Sequence, residues 1–180
     1  RIQNAIDMAS PGDEIWVYPG EYHENLSINK PINIAGIRVG DALPIIIPRE
    51  GRNAIALLED GVILNAFKIR NDGGITEACI YVESNNNSIN SMILEGAWNR
   101  DVGIVLIDNR ENHIFNCTIS NTEKAGISIL NSTKNTISNN TRSLCRIGID
   151  VSESCGNSGQ FNKIHHCDWG IVHGRGVKRL

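Results

Sequence analysis

The sequence predicts an all-β solenoid: a single-stranded parallel β-helix with a short helix laid across its N-terminal end. Two interleaved repeats and the composition predict it. The first repeat is Gly103-Ile104-Val105-Leu106, Gly126-Ile127-Ser128-Ile129, Gly148-Ile149-Asp150-Val151 and Gly170-Ile171-Val172-His173, with glycines 23, 22 and 22 residues apart. Ala78-Cys79-Ile80-Tyr81 is read as an earlier copy, 25 residues before Gly103. The second repeat, Asn-x-Ile, falls at Asn87, Asn112, Asn135 and Asn162. Its last interval is the longest and is read as carrying an inserted loop, Cys155 to Gly159. Each period holds short strands and polar corners but no stretch long enough for a helix. One such unit cannot bury its apolar side, so the units must stack. The composition agrees: 41% of residues are hydrophobic but only 5% aromatic, so branched aliphatics must fill the core.

The elements follow in order. Ile2, Ala5, Ile6 and Ala9 recur at i, i+3, i+4 and i+7 and predict a short amphipathic helix ended by Ser10-Pro11-Gly12-Asp13. A helix there works as a cap, because a solenoid end exposes core and unpaired edges. Short strands are then expected at Ile15–Tyr18, Leu26–Ile28, Ile32–Ile34, Ile45–Ile47, Ala54–Leu57 and Val62–Ile69. The whole chain, 1–180, reads as one domain: helix and turn over 1–12, irregular coils over 13–75, and regular coils over 76–180. Period-2 alternation points Ile104, Leu106, Ile127, Ile129, Ile149 and Val151 inward. Val105, Ser128, Asp150 and Val172 then form an outward column. Glu83, Asp108, Asn131, Glu153 and Arg175 form a corner column.

The opening motifs Ile2-Gln3-Asn4-Ala5-Ile6-Asp7, Pro11-Gly12-Asp13-Glu14-Ile15, Tyr18-Pro19-Gly20-Glu21-Tyr22 and Glu24-Asn25 resemble those of carbohydrate-binding and sugar-hydrolase β-helix domains. The Gly-Ile and Asn-x-Ile coils resemble those of NosD-like periplasmic proteins, named for a copper-enzyme maturation factor. The resemblance implies a right-handed coil of pectate-lyase-like shape. It leaves activity open, because this fold carries lyases, hydrolases, epimerases and scaffolds alike.

A net charge of −3 and no basic cluster beyond Gly174 to Arg179 argue against a nucleic-acid partner. No apolar run reaches the roughly 20 residues of a membrane span. The chain opens on Arg1, as a processed chain or a piece of a longer one would. Five cysteines without a CxxC motif favour neither a disulfide framework nor a zinc site.

Polysaccharide cleavage needs paired carboxylates, or an acidic calcium cluster beside a basic residue. Asp108, Asp150 and Glu153 come nearest, with Asp108 and Glu153 two coils, or roughly 10 Å, apart. The expectation is therefore no catalytic pair and no required cofactor, with calcium or copper the metals these residues would admit. Copper would fall to Cys145 and Cys167, stacked on adjacent coils, with His166 beside them, since thiolate and imidazole suit soft metals. His166 is aligned with Ser91, Asn116 and Asn139. Ligand binding is placed at Ser128, Asp150, Arg175 and Trp169. Trp16, Tyr18, Tyr22, Trp98 and Trp169 are candidate sugar-stacking rings, although Trp16 and Tyr18 could equally pack under the helix.

The expected function is a secreted, cell-surface or periplasmic module binding glycan or envelope components. The alternatives are end-to-end self-association at the C-terminal coil, a polysaccharide lyase, hydrolase or epimerase, and an intracellular (cytoplasmic) interaction scaffold.

Overall fold

The computed structural model describes residues 1–96 and 101–174. The chain is an all-β right-handed parallel β-helix of about seven turns, with one short helix, Ile2–Met8, at its start. Three seven-stranded sheets wrap the core, and every pairing between their strands is parallel. The first sheet runs from Glu14–Val17 to Ser158–Gln160, the second from Gly20–Tyr22 to Lys163–His165, and the third from Leu26–Ile28 to Trp169–His173.

Stacking aligns like residues. The third sheet carries inward the column Leu26, Ile55, Ile80, Ile104, Ile127, Ile149 and Ile171. The first carries Ile15, Ile34, Leu64, Ile89, Ile114 and Ile137. The inward and outward assignments of the regular coils hold: Ile104, Leu106, Ile127 and Ile149 are buried while Val105, Ser128 and Asp150 are half-exposed.

The repeat glycines have a steric cause. A Cβ on Gly103 would come within 2.4 Å of Ile119 Cγ2, and one on Gly148 within 2.5 Å of Ile164 Cγ2. The chain bends there towards the second sheet, which leaves room only for small side chains. The same position is Cys79 one coil earlier, since Ile80 pairs with Ile104. Cys79, not Ala78, is thus the counterpart of Gly103. The slip also takes Glu83 out of the corner column, and buried Ser84, which donates to the carbonyl of Leu57 as Asn109 does to that of Val82, stands level with Asn109.

Buried asparagines bridge the coils. Asn112 Oδ1 accepts the N–H of Asn87 at 2.9 Å, Asn135 Oδ1 that of Asn112 at 2.8 Å, and Asn157 Oδ1 that of Asn135 at 2.8 Å. A side-chain carbonyl thus satisfies a buried amide that no strand partner reaches. The ladder corrects the last repeat. Asn157, not Asn162, follows Asn135, because Ile137 pairs with Gly159. Cys155 to Gly159 is therefore an ordinary stretch of coil rather than an insertion. Asn162 belongs to a second ladder, where its Oδ1 accepts the N–H of Asn140 at 3.1 Å.

Turns between strands use the left-handed region. One corner column is Ala66, Ser91, Asn116, Asn139 and Phe161, with φ between 53° and 61°. Ala66 splits the expected Val62–Ile69 strand into Ile63–Asn65 and Lys68–Arg70. The short strand Gly20–Tyr22 carried no alternation to announce it.

The helix is tied down at both ends. Glu24 accepts the N–H groups of Ile2 and Gln3, while Lys30 Nζ donates to the carbonyls of Ile6, Asp7 and Ala9. Opposite charges thus meet the two poles of the helix dipole. Ile2 and Ile6 are buried beneath it. Residues 175–180, which follow the C-terminal coil where end-to-end self-association is expected, lie outside the described residues.

These columns predict a sharp contrast between two substitutions. Ile149→Asn should cost several kcal/mol in a urea unfolding titration. Val105→Asn, on the outward column two coils further from the end, should cost under about 1 kcal/mol. Equal losses would show the register displaced by one residue.

Candidate functional site

The three candidate carboxylates fall on two columns of the third-sheet side. Asp150 stands on the outward column between Ser128 and Val172. Asp108, Asn131 and Glu153 follow one another at a left-handed corner, with φ of 51°, 47° and 50°. Asn131 lies between the two acids and its Nδ2 donates to Asp108 Oδ1 at 2.6 Å. Two coil steps separate Asp108 from Glu153 by roughly 10 Å, against about 5–5.5 Å for a retaining glycosidase pair. Arg175 and Trp98 lie outside the described residues. Trp169 is 62% exposed but pairs with Ile147, in the column of Ala78, Val102 and Ala125, on the far side of the glycine bend from Asp150. Trp169 therefore does not share a face with Ser128 and Asp150.

The thiols are better placed. Ser143 pairs with His165, which sets Cys145 against Cys167 on adjacent coils. Each thiol donates to the carbonyl two residues before it, Ser143 at 3.3 Å and His165 at 3.4 Å, so the two side chains share one orientation. Burial, first of all, pushes the Cys145 thiol up. His166 is not stacked with Ser91, Asn116 and Asn139. That column continues to Phe161, and His166 follows Asn121 and Leu144 at the next corner. Its Nδ1 meets His165 Nδ1 at 2.9 Å. Among the described residues no three His, Cys, Asp or Glu side chains gather to hold a metal.

A buried cation stands nearby. Inward on the second sheet run Ile69, Leu94, Ile119, Arg142 and Ile164. Arg142 interrupts the aliphatic column and is fully buried. Its Nη2 reaches Asn162 Oδ1 at 3.3 Å, while Nε and Nη1 have no hydrogen-bond partner. Burial lowers its guanidinium to about 10, opposed by the sulfurs of Cys145, Cys117 and Cys167 in that order. Thr141-Arg142-Ser143 looks like a surface strand by itself. Only its alignment with Thr118-Ile119-Ser120 reveals that the arginine faces inward.

A concavity lies on the first sheet, a face that repeats alone do not single out. A cleft of about 590 Å³ runs across several coils there. One outward column of that sheet is Trp16, Ala35, Asn65, Asn90 and Phe115. Small Ala35 leaves the notch, Trp16 stands at one end and Phe115 at the other, and Arg38 and Glu14 contribute charge. Glu14 Oε1 accepts from Asn33 Nδ2 at 2.9 Å. Trp16 and Tyr18 are 61% and 66% exposed, so the helix covers neither.

The NosD family model, described as periplasmic copper-binding protein, matches residues 6–178, and the chain belongs to that family. Among solved structures it is similar to the mannuronan C-5 epimerase AlgE6 A-module of Azotobacter vinelandii, with a TM-score of 0.76 and 14% identity. That match covers 98% of this chain and 53% of the module, so the chain spans about half the module's length. The pectin methylesterase of Aspergillus niger matches with a TM-score of 0.52 and 11% identity over 99% of this chain and 86% of that one. At these identities the likeness is one of fold. No curated protein matches the chain.

Arg142 yields a stability prediction. Its charged form is disfavoured in the fold, so the penalty is full at neutral pH and fades as pH rises from about 10 towards the ordinary 12.5. Arg142→Ile, which restores the column, should raise the unfolding free energy of the metal-free, reduced protein at pH 7 by roughly 1–4 kcal/mol. Loss of stability would mean that the guanidinium already has a compensating partner.

Proposed function

We propose that this NosD-family chain is a periplasmic or extracellular module that binds an extended glycan along the first sheet, without itself cleaving or epimerising it. The first-sheet cleft carries this reading. Its length follows the coil axis: four coil steps separate Trp16 from Phe115, roughly 19 Å. A pyranose ring has an apolar face that packs on an indole or phenyl ring and a rim of hydroxyls that needs donors and acceptors together. The amides of Asn65 and Asn90 supply both.

The cleft is open, which suits a polymer laid along it better than a small enclosed ligand. Arg38 offers a charge-assisted contact to an acidic sugar. A nucleic acid would also stack on aromatic rings, but a net charge of −3 disfavours it. The two solved structures of similar fold are named for mannuronan and pectin chemistry. The family's description supports a location outside the cytoplasm. It also names copper, a second property that would need soft ligands in this chain.

Titration with oligomers of alginate, pectate and neutral glycans tests the reading. One class should bind with quenching of tryptophan fluorescence, and Trp16→Ala should weaken binding by about tenfold, the worth of a good ring contact. The oligomers should be recovered with length and configuration unchanged. Failure of every class to bind, or equal binding by Trp16→Ala, would remove the cleft as the site. Turnover lost in Asp150→Ala or Glu153→Ala would move the site to the third-sheet corner.

A further inference from the structure

We propose that Cys145 and Cys167 are a modification site, at which a thiol oxidant closes a disulfide that ties the last described coil to the one before it. Register selects this pair. Ser143 pairs with His165, so Cys145 and Cys167 lie one above the other on adjacent coils. No other two of the five cysteines meet in this way: Cys79 faces Gly103, Cys117 lies between Met92 and Asn140, and Cys155 faces Thr133. The coil step of roughly 4.8 Å falls within the Cα separation of disulfides, about 4.4–6.8 Å, so the backbone need not move. Both thiols share one orientation, each donating to the carbonyl two residues before it. Turning the sulfurs from those carbonyls towards each other breaks only two weak hydrogen bonds.

Access sets the order of events. Cys167 is half-exposed while Cys145 is buried, so Cys167 is the sulfur an oxidant reaches first. The oxidant is itself a disulfide. The Cys167 thiolate attacks one oxidant sulfur, and the other leaves as a thiolate that takes up a proton. Cys145 then loses its proton and displaces the remaining oxidant sulfur from Cys167. The two cysteines give up two protons and two electrons, and the oxidant becomes two thiols. What the bridge holds is visible in the burial of the last described coil. Its strands, Ser158–Gln160, Lys163–His165 and Trp169–His173, are mostly exposed, whereas no residue of Ile147–Ser152, one coil earlier, is exposed. A segment with so little burial is the first to open. The cysteines are 22 residues apart (167 − 145), so the bridge closes one coil into a loop and removes its open conformations. Its persistence rests on the location outside the cytoplasm proposed above, and not on the glycan reading.

The test uses the full chain, reduced and free of metal and oxygen, then mixed with oxidised glutathione, quenched by alkylation and read by mass spectrometry after digestion. The folded wild type should lose two thiols and yield one peptide pair joined through Cys145 and Cys167. Cys145→Ser should stop at a glutathione adduct on Cys167. In Cys167→Ser, buried Cys145 should react at least about tenfold more slowly than Cys167 does in the wild type. Circular dichroism of each variant, with half-exposed Cys167→Ser the safer for the fold, separates lost reaction from lost structure. Hydrogen exchange then reads the consequence. Amides of Lys163–His165 and Trp169–His173 should exchange at least about tenfold more slowly in the oxidised protein, with Leu26–Ile28 unchanged. A glutathione adduct that persists on Cys167 of the folded wild type, a bridge through Cys155 in its place, or exchange in the last coil unchanged by oxidation would each overturn the proposal. These readouts involve neither the first-sheet cleft nor a compartment, so they stand or fall apart from the reading above.

Discussion

The in-register parallel pairing of successive coils is the constraint on which the rest of the structure depends. It makes the nearest neighbours of Ile127 not its chain neighbours but Ile104 and Ile149. A side chain must therefore suit its counterparts above and below. That is why isoleucine stacks on isoleucine in the core, and why asparagine stacks on asparagine where a buried amide needs an acceptor. It also explains why the glycine column admits cysteine but nothing larger among the regular coils. The corners obey it too: asparagine recurs in left-handed turns, which its short polar side chain tolerates.

The same constraint explains what the sequence revealed and what it concealed. The Gly-Ile coils were legible because glycine, inward aliphatics and spacing coincide at Gly103, Gly126 and Gly148. The helix was legible because Ile2 and Ile6 face one way. Register failed where a column tolerates more than one residue type. Cys79 satisfies the small-residue position, so Ala78 beside it was mistaken for the glycine's counterpart. Gly159 replaces an isoleucine, so Asn162-Lys163-Ile164 was matched to Asn135-Thr136-Ile137, and His166 was carried to the wrong corner with it.

The cleft was hidden for a different reason. Trp16, Ala35 and Asn65 come from the irregular coils, where no repeat aligns them with Asn90 and Phe115. Arg142 was hidden by its flanking Thr141 and Ser143, which are surface residues. Both features are departures from the column rule: an aromatic-ended notch on an otherwise polar face, and a charge in an aliphatic stack. Locally inconsistent positions are where a fold gives up stability for something else. The glycan proposal rests on the first of those departures.

A double-mutant cycle on the third-sheet core tests the central claim most directly. Ile127→Ala, Ile149→Ala and the double variant should show an interaction energy of roughly 0.5–3 kcal/mol in urea unfolding, as touching residues do. The pair Ile127→Ala and Ile55→Ala, three coils and roughly 14 Å apart, should add within about 0.5 kcal/mol. Additive losses for Ile127 and Ile149, or equal coupling in both pairs, would contradict the stacking of these coils in this register.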